Sequence, residues 1–420
     1  MTTDTLRQAA QDIASVLPAR SNDLARLQTL ARDEAPTVTV IGKYNHGKSR
    51  LLNELIGGDV FAVADRRETV QLAQHIRDDV RWLDAPGLDA DVSAMDDRHA
   101  WQATWIESDI RLFVHSAREG ELDAAELSLL AELRDDAGRT RRETLFVLTQ
   151  TDQLADESTL QTITDAIRAQ VSDIELQRVS AARYRKGRDE SKQLLVDRSG
   201  LPPLRSLLHA KLAVVPQARA HETAVLTGEI RAELMQLQHA QEARLKELRD
   251  LQRNQRQRFD AGLHAVIAKV SEDILAMLAQ HAGNDALVPD SAKDVYGSTA
   301  GKRERNRLQM GYSRACIEID SFLAGHGVSE LPAAQQTGSG SINSVMIAVL
   351  GVSVKLHRQL RTMFGESSGR ERMQREFTHY YELSADRRAL DAQIGELQRA
   401  HVATITALAS LSAFDVNACV

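Results

Sequence analysis

The sequence is poor in cysteine, and its cysteines are far apart. Cys316 and Cys419 are the two cysteines among 420 residues. They form neither a CxxC pair nor a set with histidines at metal-ligand spacing, so we expect no disulfide framework and no zinc site. A chain of this kind fits a reducing compartment. We therefore expect a cytoplasmic protein.

The chain also lacks an excess of positive charge. Its 52 basic residues face 59 acidic ones, which gives a formal net charge of −7. The charges are spread along the chain and form no broad cationic stretch of the kind that drives affinity for nucleic acids. We expect no nucleic-acid partner.

Long apolar runs are missing as well. The first twenty residues carry Asp4, Gln8 and Gln11 where a secretion signal needs an unbroken apolar stretch, so we expect no export. The apolar run at 345–352 falls short of the roughly twenty residues that span a bilayer. Within residues 341–354 we weigh two alternatives, a membrane-inserting tip and a buried helix in a helical core. The tip would place the protein at the inner face of the membrane.

Short apolar runs alternate with helical stretches from residue 37 to about residue 182. The runs are TVTVIG, VQLAQHI, VRWLDAP, IRLFVHS, TLFVLTQ and QRVSA. This alternation is typical of an α/β domain built on a mostly parallel sheet, here of six strands. We place this domain at residues 35–215, preceded by helices in residues 1–34 that pack on it or on a helical bundle.

The second half of the chain has a different composition. Residues 218–282 contain no proline and are rich in alanine, leucine, glutamine, glutamate and arginine, which predicts one or two long helices. A second helical stretch at 372–413 can lie antiparallel to the first. We assign residues 216–420 to an all-α elongated bundle or stalk.

A phosphate-binding motif lies at the start of the α/β domain. Gly42-Lys-Tyr-Asn-His-Gly-Lys-Ser49 matches GxxxxGK[ST], follows an apolar strand and precedes a helical segment, which is the context that the motif requires. Its glycines let the loop wrap a phosphate, Lys48 neutralises the phosphate, and the Ser49 hydroxyl binds Mg²⁺. The loop residues that we expect to contact nucleotide are Gly42, Asn45, His46, Gly47, Lys48 and Ser49.

Two further residues are candidates for the magnesium site. Asp84-Ala-Pro-Gly87 ends a strand and matches DxxG, in which the carboxylate supports Mg²⁺ and the glycine amide senses the γ-phosphate. Thr69 is the one hydroxyl residue between Ser49 and Asp84, which makes it the candidate switch threonine for the metal. The alternatives are an ordinary turn at DAPG and a surface threonine.

A base-reading motif follows the fifth apolar run. Residues 149–152, TQTD, resemble [NT]KxD, in which the aspartate accepts hydrogen bonds from guanine. Gln150 stands where that motif has lysine, which leaves ATP as an alternative to GTP and GDP. The residues that we expect to contact the base are Thr149, Thr151, Asp152, Ser180 and Ala181.

Together these motifs resemble the TRAFAC GTPases, and GKYNHGKSRLLNELIG with DAPGLD is most similar to bacterial dynamin-like proteins. The resemblance covers residues 37–215, and Era-like GTPases share much of the loop sequence. It implies GTP hydrolysis, pairing of two nucleotide domains, and a helical stalk that binds or remodels membrane through residues 341–361. The alternative is a soluble regulatory switch whose helical half binds a protein partner.

The resemblance also implies a way to accelerate hydrolysis. Leu88 stands where Ras-type enzymes carry the glutamine that orients the attacking water, so we expect slow turnover by the isolated domain. Asn45 is at the loop position that in related GTPases coordinates K⁺ once two domains pair, and Arg66 and Arg67 are second candidates for neutralising charge. The predicted catalytic residues are Lys48, Asn45, Thr69 and Gly87.

Overall fold

The computed structural model describes residues 3–32, 34–62, 73–85, 99–172, 174–280, 285–288, 297–338 and 343–415. The chain divides into two compact units. One consists of residues 1–238 with 403–420, and the other of residues 239–402. The domain boundaries proposed after residues 34 and 215 stay predictions.

A sheet forms the centre of the first unit. Within the described residues it has six strands, in the order β2-β3-β1-β4-β5-β6. Only the β2–β3 pair is antiparallel in this part of the chain, and the other neighbouring strands are parallel. The strands are β1 (Thr37–Ile41), β2 (Ala73–Arg77), β3 (Val80–Asp84), β4 (Ile110–Ser116), β5 (Glu143–Thr149) and β6 (Leu176–Arg178). The predicted mostly parallel α/β fold is confirmed.

Helices cover both faces of the sheet, because its central strands are apolar on both sides. In β4, Leu112 packs into one hydrophobic core with Leu51, whereas Phe113 packs into the opposite core with Leu133. The helices that follow β1 are α3 (Lys48–Ile56), α4 (Ala124–Thr140), α5 (Glu157–Gln170), α6 (Ala181–Asp189), α7 (Gln193–Asp197) and α8 (Leu201–Ala213). Parallel strands bring their carboxyl ends to one edge of the sheet, where ligands bind in folds of this kind.

The amino-terminal helices and the last long helix pack together in the first unit. The amino-terminal helices are α1 (Thr3–Val16) and α2 (Ser21–Leu30). They share a hydrophobic core with the beginning of α9 (Val215–Ala279) and the end of α14 (Ala385–Asp415), to which Ile13, Ile230 and Leu411 contribute. The amino-terminal helices therefore pack on the long helices as well as near the sheet.

A buried ion network joins these helices to the sheet. Arg26 on α2 donates hydrogen bonds to Glu222 on α9 at 2.8 Å and to Asp109, just before β4, at 3.0 Å. Asp109 also accepts a hydrogen bond from the backbone N–H of Thr37 on β1. Removing one member of such a buried pair leaves the other charge unpaired, which costs about 3–5 kcal/mol. The network therefore fixes the positions of α2 and of the beginning of α9 against the sheet.

The second unit is helical. Its elements include α10 (Ala300–Ala324), α11 (Val345–Leu350), α12 (His357–Leu360) and α13 (Ser367–Glu382), together with parts of α9 and α14. Gln252 pairs with Asp391, and the earlier Glu242 lies 3.8 Å from the later His401. The earlier residue of α9 therefore pairs with the later residue of α14. This order shows that the two helices are antiparallel here, as expected.

The apolar run at 345–354 packs into the core of the second unit. Val345, Met346, Leu350 and Val354 are buried in that core. The Tyr312 hydroxyl lies within hydrogen-bond distance of the backbone carbonyls of both Leu350 and Gly351, at 2.9 and 2.7 Å. These contacts favour the buried alternative for the run itself. Among the described residues, no helix is both long and apolar enough to cross a bilayer.

Candidate nucleotide-binding site

The loop at 42–47 connects β1 to α3 in a conformation that needs its glycines. Gly47 caps α3 with a left-handed φ of 82°. A Cβ on Gly42 would lie 2.2 Å from the carbonyl oxygen of Val114, so a side chain has no room there. The glycine positions of the motif therefore let the backbone turn sharply at the amino end of α3, where N–H groups attract anions.

Lys48 begins α3, and its side chain folds back over the loop. Its ammonium group donates hydrogen bonds to the carbonyl oxygens of Gly42 at 2.9 Å and Lys43 at 2.8 Å. The side chain is buried. This arrangement holds a positive charge inside the ring of the loop, where a phosphate would lie.

Ser49 and Asp84 come together at the neighbouring strand end. The Ser49 hydroxyl donates a 2.5 Å hydrogen bond to Oδ2 of Asp84. Oδ1 of Asp84 is buried and has no hydrogen-bond partner among the described residues. Burial raises the pKa of this carboxyl, although Ser49 and Lys48 act in the opposite direction. A buried carboxylate oxygen without a partner beside a serine hydroxyl fits Mg²⁺, which prefers oxygen ligands.

The end of β5 is tied directly to the phosphate loop. Thr149 donates through its hydroxyl to the carbonyl oxygen of His46 at 2.5 Å. Gln150, which has a left-handed φ of 56°, donates from Nε2 to the Asn45 carbonyl at 2.6 Å and accepts from the Ser116 hydroxyl at 2.9 Å. The glutamine in place of lysine thus holds the phosphate loop and two strand ends together.

Asp152 is oriented by the loop that follows β6. Ser180 caps α6 and donates a 2.5 Å hydrogen bond to Oδ1 of Asp152. Ala181 is the first residue of α6, and Thr151 is buried beside Asp152. The structure therefore brings the two halves of the predicted base-reading site together.

His46 points away from the loop surface. Its side chain is buried, and Nδ1 lies 3.3 Å from the carbonyl oxygen of Val114 and 3.8 Å from Oε1 of Glu126. Burial and the nearby His115 lower the pKa of His46. Contacts from His46 to a phosphate would have to come from its backbone. Asn45, in contrast, is exposed at the loop surface.

Sequence reasoning missed several residues around the site. Ser116 and His115 end β4 at the same sheet edge, and Lys43 pairs with Asp123 and with Glu126 of α4. Asp123 and Glu126 have the three-residue spacing of a helix capping box, and the structure contains that capping box. That spacing was the one signal for them in the sequence.

Thr69 and Gly87 lie outside the described residues, as do Arg66, Arg67 and Leu88. Their assignments stay predictions.

Comparison with known proteins agrees with this geometry. The family model described as "50S ribosome-binding GTPase" matches residues 37–150. An uncharacterized protein of Acinetobacter baylyi is 49% identical over 395 residues, which is 94% of each chain. The chain belongs to the family of that protein. It is a P-loop GTPase. The loop at 42–49, Asp84 and the end of β5 all lie inside the matched range.

Solved structures similar to the GTPase are remote. Era from Aquifex aeolicus bound to GDP and aluminium fluoride is 20% identical, with a TM-score of 0.30 over 39% of this chain and 56% of that one. The FeoB G domain from Methanococcus jannaschii is 17% identical, with a TM-score of 0.26 over 43% of this chain and 99% of that one. TM-scores this low carry no conclusion about the activity or partners of the GTPase.

Proposed function

We propose that the protein is a GTP-driven switch that hydrolyses Mg²⁺-bound GTP and passes its nucleotide state to the helical unit. Lys48 and the loop amides hold the phosphates, Ser49 and Asp84 hold the metal, and Asp152 reads the base. Thr69 and Gly87 sense the γ-phosphate. The observation that carries the proposal is the 2.5 Å contact between Ser49 and Asp84, beside a buried carboxylate oxygen that has no hydrogen-bond partner among the described residues.

The chemistry follows from what these groups do to charge. Lys48 stabilises the negative charge that develops as a water attacks the γ-phosphate and the β–γ bond breaks. At Ser49 and Asp84, Mg²⁺ would supply further neutralisation of the phosphate oxygens. The buried position of Lys48 strengthens its effect, because the surroundings screen it less than water does.

Guanine is the base that the site favours. Asp152 has a carboxylate oxygen fixed by Ser180 and a second oxygen for the base N–H groups. Gln150 supplies the link to the phosphate loop without the charge of a lysine. We therefore propose GTP and GDP as ligands.

Transmission to the helices has a supporting observation. The beginning of α9, the end of α14 and both amino-terminal helices share one hydrophobic core in the unit that contains the sheet. Both α9 and α14 also contribute residues to the second unit. A nucleotide-dependent shift in the first unit can therefore be transmitted to the second unit through two continuous helices, α9 and α14. We propose that a protein partner bound to the helical unit responds to this shift.

The test is nucleotide binding by calorimetry with full-length protein. We expect GTP to bind more tightly than ATP, and Lys48→Ala to weaken GTP binding by about 100-fold or more. Lys186→Ala removes an exposed lysine from α6 and should change nothing. Absence of binding heat with any purine triphosphate, from protein shown to be folded, would overturn the proposal.

Dynamin-like membrane binding is a second candidate, favoured by the surface next to the buried run. Val352 is 76% exposed, Leu356 is partly exposed, and the exposed cations Lys355, Arg358 and Arg361 follow. Apolar side chains beside cations can bind anionic lipid without a spanning helix.

Vesicle co-sedimentation tests this candidate. With vesicles rich in anionic lipid, Val352→Asp should remove binding, whereas Ile317→Asp, at a residue of α10 that is 69% exposed, should retain it. No sedimentation of the wild-type protein with such vesicles, with or without GTP, would leave the protein-partner proposal standing alone.

A further inference from the structure

Three metal-ligating side chains converge behind the phosphate loop. His46 belongs to the loop, His115 lies near the end of β4, and Glu126 lies in the first turn of α4. All three are buried, and one ligand atom from each lies within 4.8 Å of the other two. This cluster uses different side chains from the Ser49 and Asp84 pair, and the GTPase chemistry gives it no role.

The contacts of His115 call for a positive charge inside the cluster. Its Nε2 lies 3.1 Å from the carbonyl oxygen of Gly120, and its Nδ1 lies 2.8 Å from Oε1 of Glu126. A neutral imidazole donates from one nitrogen only, yet both nitrogens of His115 face acceptors. If Nε2–H donates to Gly120, a lone pair on Nδ1 faces a carboxylate. A metal ion bound at this point would satisfy both atoms.

The surroundings fit a metal ion. Metal-bound histidines usually donate their other ring N–H to a carbonyl or carboxylate. Nε2 of His115, 3.1 Å from the Gly120 carbonyl oxygen, is placed for such a bond. Oε1 of Glu126 lies 2.8 Å from Nδ1 of His115 and 3.8 Å from Nδ1 of His46. Ligands of a tetrahedral ion with bonds of about 2.1 Å lie about 3.4 Å apart. The three ligand atoms all lie within 4.8 Å of one another, so side-chain adjustments bring them to that spacing.

The other carboxylate oxygen of Glu126, Oε2, already contacts a backbone N–H group and a lysine ammonium group. Oε2 accepts from the backbone N–H of Asp123 at 3.2 Å and lies 3.4 Å from the Lys43 ammonium group. Lys43 is itself paired with Asp123. Oε1 is thus left to face the two imidazoles. Nδ1 of His46 also lies 3.3 Å from the carbonyl oxygen of Val114, a contact that metal binding at this nitrogen replaces.

We propose that His46, His115 and Glu126 bind a divalent transition-metal ion of the Zn²⁺ class. Two imidazoles and one carboxylate suit Zn²⁺, Co²⁺ or Ni²⁺ rather than Mg²⁺, which prefers oxygen ligands. The ion links the phosphate loop through His46 to the start of α4 through Glu126. Metal occupancy therefore stabilises the loop in the conformation described here.

The experiment is a Zn²⁺ titration of metal-stripped, full-length protein by calorimetry, with GDP and excess Mg²⁺ present to occupy the nucleotide site. We expect about one Zn²⁺ per chain and a higher melting temperature in its presence. Replacing Zn²⁺ by Co²⁺ should give the visible absorption of a tetrahedral nitrogen and oxygen site, a readout that does not depend on GTP turnover.

Two variants and one control locate the ion. His115→Gln and Glu126→Gln should each weaken Zn²⁺ binding by about 100-fold. His209→Gln, which removes an exposed histidine from α8, should leave it unchanged. Circular dichroism checks that each variant folds, and the Co²⁺ spectrum of the wild-type protein decides the matter if both fail.

Three results would overturn the proposal. They are the absence of Zn²⁺ binding by the wild-type protein, binding that both cluster variants retain, and a Co²⁺ spectrum of an octahedral site with oxygen ligands only. Because GDP binding is measured in the same samples, failure of the metal site is distinguishable from failure of the nucleotide site.

Discussion

At the scale of single residues, Gln150 shows how a departure from a motif is accommodated. Lysine is usual at this position, and its replacement left the choice between GTP and ATP open. In the folded protein the Gln150 amide makes two hydrogen bonds, one with the Asn45 carbonyl and one with the Ser116 hydroxyl. The glutamine therefore acts as a link between the phosphate loop and two strands.

This link predicts unequal effects of two substitutions. Gln150→Leu removes both hydrogen bonds, worth about 1 kcal/mol each, and should weaken GTP binding by about 10-fold or more. Gln150→Lys retains a donor that can reach the Asn45 carbonyl and should bind GTP nearly as well as the wild-type protein. Fluorescence titration with a labelled GTP analogue measures both. Wild-type affinity in the leucine variant would show that the link carries no binding energy.

At the scale of elements, apolar spacing predicted the long helices better than it predicted their buried faces. Leu245 and Leu248 of α9 are buried, but Leu251, in the same apolar stripe, is 46% exposed. Val402 and Ile405 of α14 are exposed as well. Spacing identifies a helix because it depends on the helix alone, whereas burial depends on which neighbour covers each turn.

An ion cluster on α10 fixes the segment that follows the apolar run. Glu304 accepts hydrogen bonds from Arg307 at 2.6 Å and lies 2.7 Å from Nε2 of His357 on α12. The hydrogen bond from Arg307, opposed by partial burial and aided by His357, lowers the pKa of Glu304 to about 2. The ionised carboxylate is therefore favoured by the folded state.

Acidification should remove this contribution. Since the pKa of Glu304 falls from 4.5 to about 2 on folding, its stabilisation is complete above pH 4.5 and declines as the pH drops towards 2. Glu304→Gln should cost about 1–3 kcal/mol near neutral pH and progressively less in acid. Thermal unfolding of both proteins across this pH range measures the difference. A difference that does not change with pH would contradict the assignment.

At the scale of the whole molecule, the sequence anticipated much of the sheet and the phosphate loop. Both depend on local patterns: apolar runs of strand length, glycines at fixed offsets, and a strand before and a helix after the loop. The position of the apolar run at 345–354 had two equal alternatives. Its burial depends on contacts with Tyr312, Phe364 and other residues distant in sequence. The spacing of apolar residues within the run could not predict those contacts.

Turnover should depend on pairing of two chains. Asn45 is exposed on the loop. The resemblance to related GTPases implies that this residue coordinates K⁺ once two G domains pair. We predict that the GTP hydrolysis rate per chain rises with protein concentration and is about 10-fold higher in KCl than in NaCl of equal ionic strength. Asn45→Ala should abolish the difference between the salts. Phosphate-release assays measure it, and rates equal in both salts and flat with concentration would rule out this mode of activation.

The sequence by itself determined that the chain has a phosphate loop on an α/β sheet and long helices after it. These features depend on residues that are close together along the chain. Only the tertiary structure decided that the apolar run lies in a core and that the amino-terminal helices share a core with the beginning of α9 and the end of α14. It also decided that His46, His115 and Glu126 meet behind the loop, although the cysteine pattern gave no sign of a metal site. They meet because β1 and β4 are neighbours in the sheet and the first turn of α4 lies beside the ends of these strands. The spacing of these residues along the sequence could not predict that contact.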